Sequence, residues 1–362
     1  MVSPLDGFLR SCSPQRSRTR CQRRHFPHVT YAFNAGFVRQ GLISIYSLLV
    51  ATHGKVAVVV HIDAPAEELS HGIKALSALF PDAQITQHIN PDLPQQDHPH
   101  LKHGRPYTHW MMTALASTKV KTLYVDGDTL FVDDPTPLYH LDLEGKLLAG
   151  VPDTRFEILH HKIGLWSRFG ALGVACRRPF RQVIATQKHD LHRAQYINAG
   201  LLLVDMPALR RAGLAEQLDG YKSYSQIYDH KGWTNCDQDW FNYLFGTQRD
   251  AIQLLSARWN LLANLANMDR LWAISVPSKI RAAYRRAQNN PALYHFAGSV
   301  FKPWQSQPLQ RPMSPLQKRA LGAWYQAAIT FSAKTGMDIP PMIEKISRIA
   351  EKERHKWTST FA

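Results

Sequence analysis

Two aspartates separated by one glycine, Asp126-Gly127-Asp128, are the residues of this chain best suited to chemistry. They follow an apolar run, Leu123-Tyr-Val125, and precede a second one, Thr129 to Val132. Carboxylates at i and i+2 around a glycine can point to the same side of a turn. At the carboxyl end of a sheet strand they stand where open α/β sheets bind ligands. Two hard oxygen ligands there can hold Mg²⁺ or Mn²⁺ against a diphosphate. A bare Asp-x-Asp is common, so its meaning depends on the residues that accompany it.

Four segments accompany it. Tyr196-Ile-Asn198-Ala199-Gly200 opens the apolar run Leu201–Val204, and Asn-Ala-Gly suggests a backbone lying close to a ligand, with the Asn198 amide offered to sugar hydroxyls. Asp237-Gln238-Asp239 begins a helical stretch, Trp240–Phe245, which sets two acids and an amide near the positive end of a helix. The structural alternative for either acid is an N-cap. Arg258-Trp-Asn260 follows another apolar strand. Finally, Tyr294-His295-Phe-Ala-Gly298 is followed by Lys302-Pro-Trp304, so a histidine, a glycine and a lysine could clamp a metal and a diphosphate.

These segments need a scaffold, and the spacing of apolar residues supplies one. His28–Phe33, Lys55–Ile62, Gln84–Ile89, Lys121–Val125, Leu147–Val151 and Ile197–Val204 read as buried strands. Val38–Ala51, Ala66–Phe80 and Tyr107–Ser117 read as helices between them, and a further helix begins near Pro207. Alternation of this kind predicts an α/β fold with a mostly parallel sheet and helices on both faces. The polar, proline-rich stretch from Asn90 to Arg105 is long enough to expect a functional loop. After residue 312, apolar residues recur at helical spacing (Leu316, Leu321, Trp324, Tyr325, Ala328, Ile329, then Ile343, Ile346, Ile349). These helices either dock onto the domain or lie in a membrane interface.

Charge and cysteine usage narrow the class. Of the formal net charge of +15, residues 1–28 carry +5, residues 311–362 carry +5, and the long central part carries the remaining +5. Basic ends around a nearly balanced body suit an anionic surface or plain solvation. They do not suit nucleic acid, because no basic stripe with interleaved aromatics runs through the body. Cys12, Cys21, Cys176 and Cys236 form no CxxC pair and read as free thiols of a reducing compartment, with Cys236 a bystander to the motif beside it. No apolar run approaches the roughly 20 residues that span a bilayer. The Arg-rich N-terminus has no following apolar core, so no ordinary secretory signal is expected. The expected location is the cytoplasm, with peripheral attachment to the inner membrane face as an option.

From about His28 to Trp304 the ordered set Asp-x-Asp, Asn-Ala-Gly, Asp-Gln-Asp, Arg-Trp-Asn, His-x-x-Gly and Lys-Pro-Trp resembles glycosyltransferase family 8. That is the retaining group that includes bacterial lipopolysaccharide galactosyl- and glucosyltransferases and glycogenin. Residues 1–27 are expected to form a disordered basic tail, 28–311 the nucleotide-sugar glycosyltransferase-like catalytic domain, and 312–362 a helical extension, either docked or membrane-associating. The resemblance implies a single GT-A-type, Rossmann-like domain that moves galactose or glucose from a UDP-sugar to a saccharide or glycolipid acceptor. It implies Mn²⁺, with Mg²⁺ as the other candidate, on Asp126, Asp128 and His295, a donor set that suits Mn²⁺. Asn198, Ala199, Asp237 and Gln238 would line the donor sugar, joined by Asp153. Catalytic roles fall to Gln238, Asp237 and Asp153, and Gly298 and Lys302 would hold the diphosphate. Ala32, Asn34, Phe37, Asp126 and Gly127 would line the remainder of the donor. Departures are visible. The family's uracil-binding acid is replaced by Asn34 and its tyrosine by Phe37, His109 stands where an arginine is usual after Tyr107, and the Gly298–Lys302 spacing is one residue longer.

Retention leaves two routes open, front-face attack or a covalent intermediate on Gln238 or Asp237. Two other functions fit the elements less well: a sugar-phosphate nucleotidyltransferase, for which Ala35-Gly36-Phe37-Val38-Arg39 is a poor phosphate loop, and an inactive nucleotide-sugar binding module.

Overall fold

The computed structural model describes residues 26–90, 110–154, 196–218, 236–246, 250–264, 277–298, 301–304 and 312–362. The N-terminal tail, the polar stretch from residue 91 through Arg105, Tyr107, His109, Cys12, Cys21 and Cys176 lie outside those residues.

Strands β1 (His28–Ala32), β2 (Val56–Ile62) and β3 (Ala83–Ile89) alternate with helices α1 (Val38–Ala51) and α2 (Glu67–Leu79). Then come α3 (Trp110–Ser117), β4 (Lys121–Asp126), β5 (Thr129–Phe131), β6 (Leu148–Pro152) and β7 (Ile197–Asp205). Helix α4 (Cys236–Gly246), β8 (Ile252–Leu254), β9 (Leu261–Leu262), α5 (Ser278–Asn289) and β10 (Leu293–His295) complete the part that carries the motifs. Helices α6 (Pro315–Thr335) and α7 (Glu344–Arg354) follow.

Seven strands form one sheet in the order β3-β2-β1-β4-β7-β6-β8. The first four are parallel, as the alternation with helices requires, whereas β7 runs antiparallel to both β4 and β6. Helices cover both faces. One core cluster joins Val29, Tyr31 and Val58 to Leu42 and Ile45 of α1 and to Leu321 and Trp324 of α6. A smaller one joins Tyr124, Leu202 and Val204 to Met111 and Leu115 of α3 and to Trp240 and Phe241 of α4. Fully burying a side chain of this size contributes about 2 kcal/mol. A second sheet has three strands in the order β5-β10-β9, with β5 only a short turn beyond the end of β4.

The helices after residue 312 dock onto the domain. Ser314 caps α6 with a reciprocal bond to Gln317, and Gly336, at φ +72°, closes its far end in the left-handed conformation. The Tyr46 ring of α1 lies 5.7 Å from Phe331 of α6, and its hydroxyl donates to the carbonyl of Phe361 at 3.1 Å. Trp324 is buried and sits 5.3 Å from Trp304. Among the described residues no helix is long and apolar enough to cross a membrane.

Candidate active site

Strand β4 ends at Asp126, whose register partner on β1 is Ala32, so the first aspartate emerges at the carboxyl edge of the parallel sheet. The turn that follows is braced. Thr129 donates its hydroxyl to the Asp126 carbonyl at 2.8 Å and lies 2.9 Å from the Ser44 hydroxyl. Strand β5 then pairs antiparallel with β10, placing Thr129 opposite His295. The Phe296 amide donates to the Asp128 carbonyl at 2.9 Å. Two backbone pairings thus bring a histidine from late in the chain to the aspartate turn.

The side chains converge. His295 Nε2 lies 3.1 Å from Asp128 Oδ1 and 3.7 Å from Asp126 Oδ2. One ligand atom from each of the three residues falls within 4.8 Å of the others. Two carboxylate oxygens and an imidazole nitrogen, so placed, fit a borderline-hard divalent cation such as Mn²⁺. Lys302 donates to the other oxygen of Asp128 and lies 5.6 Å above the Trp304 ring. The extra residue between Gly298 and Lys302 therefore does not stop the lysine from reaching the centre. Tyr124 donates its hydroxyl to Asp126 Oδ1 at 2.9 Å.

The two carboxylates differ in acidity because their neighbours differ. Partial burial, then the like charge of Asp128, push Asp126 up to about 6 against the opposing pull of His295, Tyr124 and Lys302. Burial also works to raise Asp128, but Lys302 and His295 outweigh it and hold that carboxyl well below the usual range.

Beside this centre lies a second, more deeply buried group. Asp153 follows a β-bulge at Gly150/Val151 that re-aims the end of β6. Its Oδ2 accepts from Asn198 Nδ2 at 3.0 Å and from Gln238 Nε2 at 2.9 Å. Gln238 Oε1 in turn accepts from Asn198 Nδ2 at 3.0 Å. Asn242 fixes α4 to β7 by accepting from the Ile197 amide at 2.7 Å and donating to the Ile197 and Gln238 carbonyls at 2.8 and 2.7 Å. That staple sets the position of Gln238.

A comparison with family models gives a match to glycosyl transferase family 8 over residues 28–307. The chain belongs to glycosyl transferase family 8. General stress protein A of Bacillus subtilis (strain 168) is 23% identical over 188 residues, 51% of this chain and 53% of that protein. The chain therefore spans about half the length of this curated relative. Among solved structures, the WbbM bifunctional glycosyltransferase has a TM-score of 0.58 at 15% identity, covering 94% of this chain and 53% of that one. The galactosyltransferase LgtC, solved with donor and acceptor sugar analogs, has a TM-score of 0.54 at 19% identity, covering 89% and 99%. GlyE of Streptococcus pneumoniae TIGR4 has a TM-score of 0.52 at 16% identity, covering 92% and 64%. At these identities the structural likeness concerns the fold, a GT-A-like α/β architecture.

Within this family 8 chain, Asp126, Asp128, His295 and Lys302 come together, and so do Asp153, Asn198 and Gln238. Ala199 adjoins Gln238, its amide 3.4 Å from Oε1. Asn34 and Phe37 lie in a turn just after β1, and the Phe37 ring packs edge-on against Trp304 at 5.6 Å. Gly127 lies under Phe33 and Phe37, both 3.2 Å from where its Cβ would be. Gly298 has φ +73°, a left-handed turn that favours glycine, and the preceding carbonyl of Ala297 is held by Asn264 Nδ2 at 2.7 Å. The Asp237 and Cys236 side chains lie outside the described residues.

Two expectations need correcting. Asp239 is no N-cap: it is fully buried and accepts the Tyr196 hydroxyl, whose proton is retained because burial and the Asp239 charge push the phenol well above its ordinary range. The close approach at Gly200 is to a side chain of this protein, since a Cβ there would fall 2.1 Å from His295 Cε1. Arg258, to which the sequence assigned no role, pairs with Asp133 and bonds the Asn290 carbonyl at 3.1 Å. Sequence reasoning also assigned no role to Asn260, which bonds His295 Nδ1; a polar residue after Arg-Trp, just before the apolar Leu261-Leu262, was the available signal.

Proposed function

We propose that this glycosyltransferase is a retaining, metal-dependent hexosyltransferase that moves galactose or glucose from a UDP-sugar to a saccharide or glycolipid acceptor such as lipopolysaccharide. The observation that carries the reading is the convergence of Asp126, Asp128 and His295 within 4.8 Å of one another, with Lys302 beside them. LgtC, a galactosyltransferase solved with donor and acceptor sugar analogs, supports the hexose and the saccharide acceptor. The basic ends of the chain suit attachment to an anionic membrane surface.

When bound, Mn²⁺ or Mg²⁺ supplies Lewis-acid stabilisation of the charge that grows on the departing diphosphate. Lys302 adds a second positive charge at the same place, and the left-handed Gly298 lets the backbone approach the phosphates. Ala32, Asn34 and Phe37 would line the uridine, Asn34 offering an amide to the base edge and Phe37 its ring. Asn198, Ala199 and Gln238 present polar atoms to the sugar, and Asp153 orients both amides from beneath. Breaking the anomeric bond develops positive charge on the sugar ring. Gln238 or Asp237, both at the start of α4, would stabilise it. Asp153, whose Oδ2 takes two amide bonds, orients those amides. No pair of carboxylates identifies itself by sequence as nucleophile and base. Front-face attack, with the departing phosphate taking the acceptor's proton, is therefore the route favoured over a covalent intermediate on Gln238 or Asp237.

Incubation with UDP-galactose and UDP-glucose, with and without Mn²⁺, is expected to release UDP from one of them only when the ion is present. Metal-independent release, or none from either donor, would sink the reading. The acidity of the centre gives a second expectation. A cation needs both carboxylates ionised, and Asp126 holds its proton up to about 6. Above that pH the ligand is charged, and below it a proton must be displaced for each ion bound. Mn²⁺ affinity is therefore expected to be flat above about pH 7 and to fall by about tenfold per unit below 6, as titrations over a pH series would reveal.

A further inference from the structure

The metal centre and the sugar-lining group are joined by one continuous chain of hydrogen bonds, and its direction is fixed by groups that have no choice of role. The Gly200 backbone amide can only donate, and it lies 3.0 Å from Asn198 Oδ1. That contact makes the atom an acceptor and assigns the other end of the same amide, Nδ2, to the acceptors Asp153 Oδ2 and Gln238 Oε1. Asn260 meets Asn198 Oδ1 at 2.8 Å, so the atom it presents there is its donor, Nδ2. Its remaining atom, Oδ1, faces His295 Nδ1 at 2.9 Å and must accept. His295 therefore carries a proton on Nδ1, and Nε2 is the nitrogen that faces Asp126 and Asp128. Every link runs the same way, from the imidazole through Asn260 and Asn198 to the Asp153 carboxylate. Asn260 is 2% exposed and His295 3%, so water does not compete for these bonds.

We propose that Asn260 is a positioning residue with two outputs: it selects the His295 tautomer that leaves Nε2 free for the cation, and it holds the Asn198 amide in the orientation that serves the donor sugar. Groups that orient a ligating histidine from behind typically govern metal affinity by 10- to 100-fold. Here the same side chain also reaches the sugar pocket, so ion and sugar are read by one connected framework. The inference rests on the metal centre proposed above.

Two substitutions separate the outputs. Asn260→Leu removes both. Asn260→Asp keeps an acceptor for His295 Nδ1–H and removes the donor to Asn198. Mn²⁺ affinity, read from the loss of the free-ion EPR signal on the full chain, is expected to weaken at least tenfold in Asn260→Leu and to stay within about threefold of wild type in Asn260→Asp. In the second variant kcat/KM for the UDP-sugar should nevertheless fall about tenfold. A folded Asn260→Leu protein with wild-type Mn²⁺ affinity would overturn the proposal, and so would an Asn260→Asp protein with unchanged kcat/KM. The Asn260→Asp arm decides the matter if the leucine variant does not fold. A wild-type chain that binds Mn²⁺ and releases no UDP contradicts the proposed function alone, and the affinity comparison then still tests Asn260.

Discussion

Replacing Gly200 with alanine is expected to reduce Mn²⁺ affinity at least tenfold and UDP release at least a hundredfold, although residue 200 offers no ligand atom. A Cβ at this position would stand 2.1 Å from Cε1, 2.5 Å from Nδ1 and 2.9 Å from Nε2 of His295. No real Cβ tolerates such distances, so the imidazole must leave its place. It cannot move sideways without giving up Asn260 on one side or the aspartates on the other. A lost ligand costs the centre its affinity, and misplaced charge stabilisation commonly costs 10²–10³ in turnover. Overpacking should also lower stability by about 1–3 kcal/mol. Gly213→Ala is the fitting control. Gly213 has φ +69° with nothing within 4 Å of its Cβ position, so that change strains the backbone by about 1 kcal/mol and should leave Mn²⁺ binding intact. Melting curves and Mn²⁺ titrations on both variants test the contrast. Wild-type affinity in Gly200→Ala would show that His295 does not serve the ion.

Much of the scaffold was legible because it is local. The apolar residues of Val38–Ala51 recur at helical spacing, and the helix occupies those residues. Strands β1 to β4 lie within a residue or so of the apolar runs that announced them. The direction of β7 was not legible. A buried strand reads as a continuous apolar run whichever way it points, and Leu201–Val204 pairs antiparallel with β4 although its composition suits a parallel neighbour. The pairing of β5 with β10 was likewise invisible, because a three-residue strand carries almost no pattern and its partner lies far along the chain. Yet that pairing is what carries His295 to Asp128.

The site shows the same division between residue type and partner. Asp126, Asp128, His295, Asn198 and Gln238 were recognisable from their types and their order. Their partners were not, since hydrogen-bond polarity exists only once the atoms face one another. Gly200 illustrates the point: a glycine after Asn-Ala signals close approach, but the sequence does not say to what, and the occupant is an imidazole of the same chain. Asp239 illustrates the converse. An acid at a helix start suggests a cap, and only the fold reveals that a tyrosine hydroxyl takes its oxygen first.

Asp128→Ala is expected to abolish turnover by more than about two orders of magnitude, with no recovery at high Mn²⁺. The reason lies in how unequally the two aspartates are engaged. Asp126 is a third open to solvent and accepts from Tyr124, whereas Asp128 is 17% exposed and meets both Lys302 and His295. Losing Asp128 therefore removes a proposed ligand and also the partner that holds Lys302, so both positive charges proposed to stabilise the leaving group are affected. The same change removes the like charge that helps to raise Asp126, whose acidity should shift back toward an ordinary carboxylate. What little Mn²⁺ binding survives should then fall off at a lower pH than in the wild type. A variant that keeps more than a tenth of wild-type UDP release would place the catalytic cation elsewhere. Loss of activity together with an unchanged pH profile of residual Mn²⁺ binding would instead remove the Asp128 charge as a contributor to Asp126's raised pKa. The two readings are separable because turnover reports the charges facing the donor, while the pH profile reports the repulsion between two carboxylates in one turn.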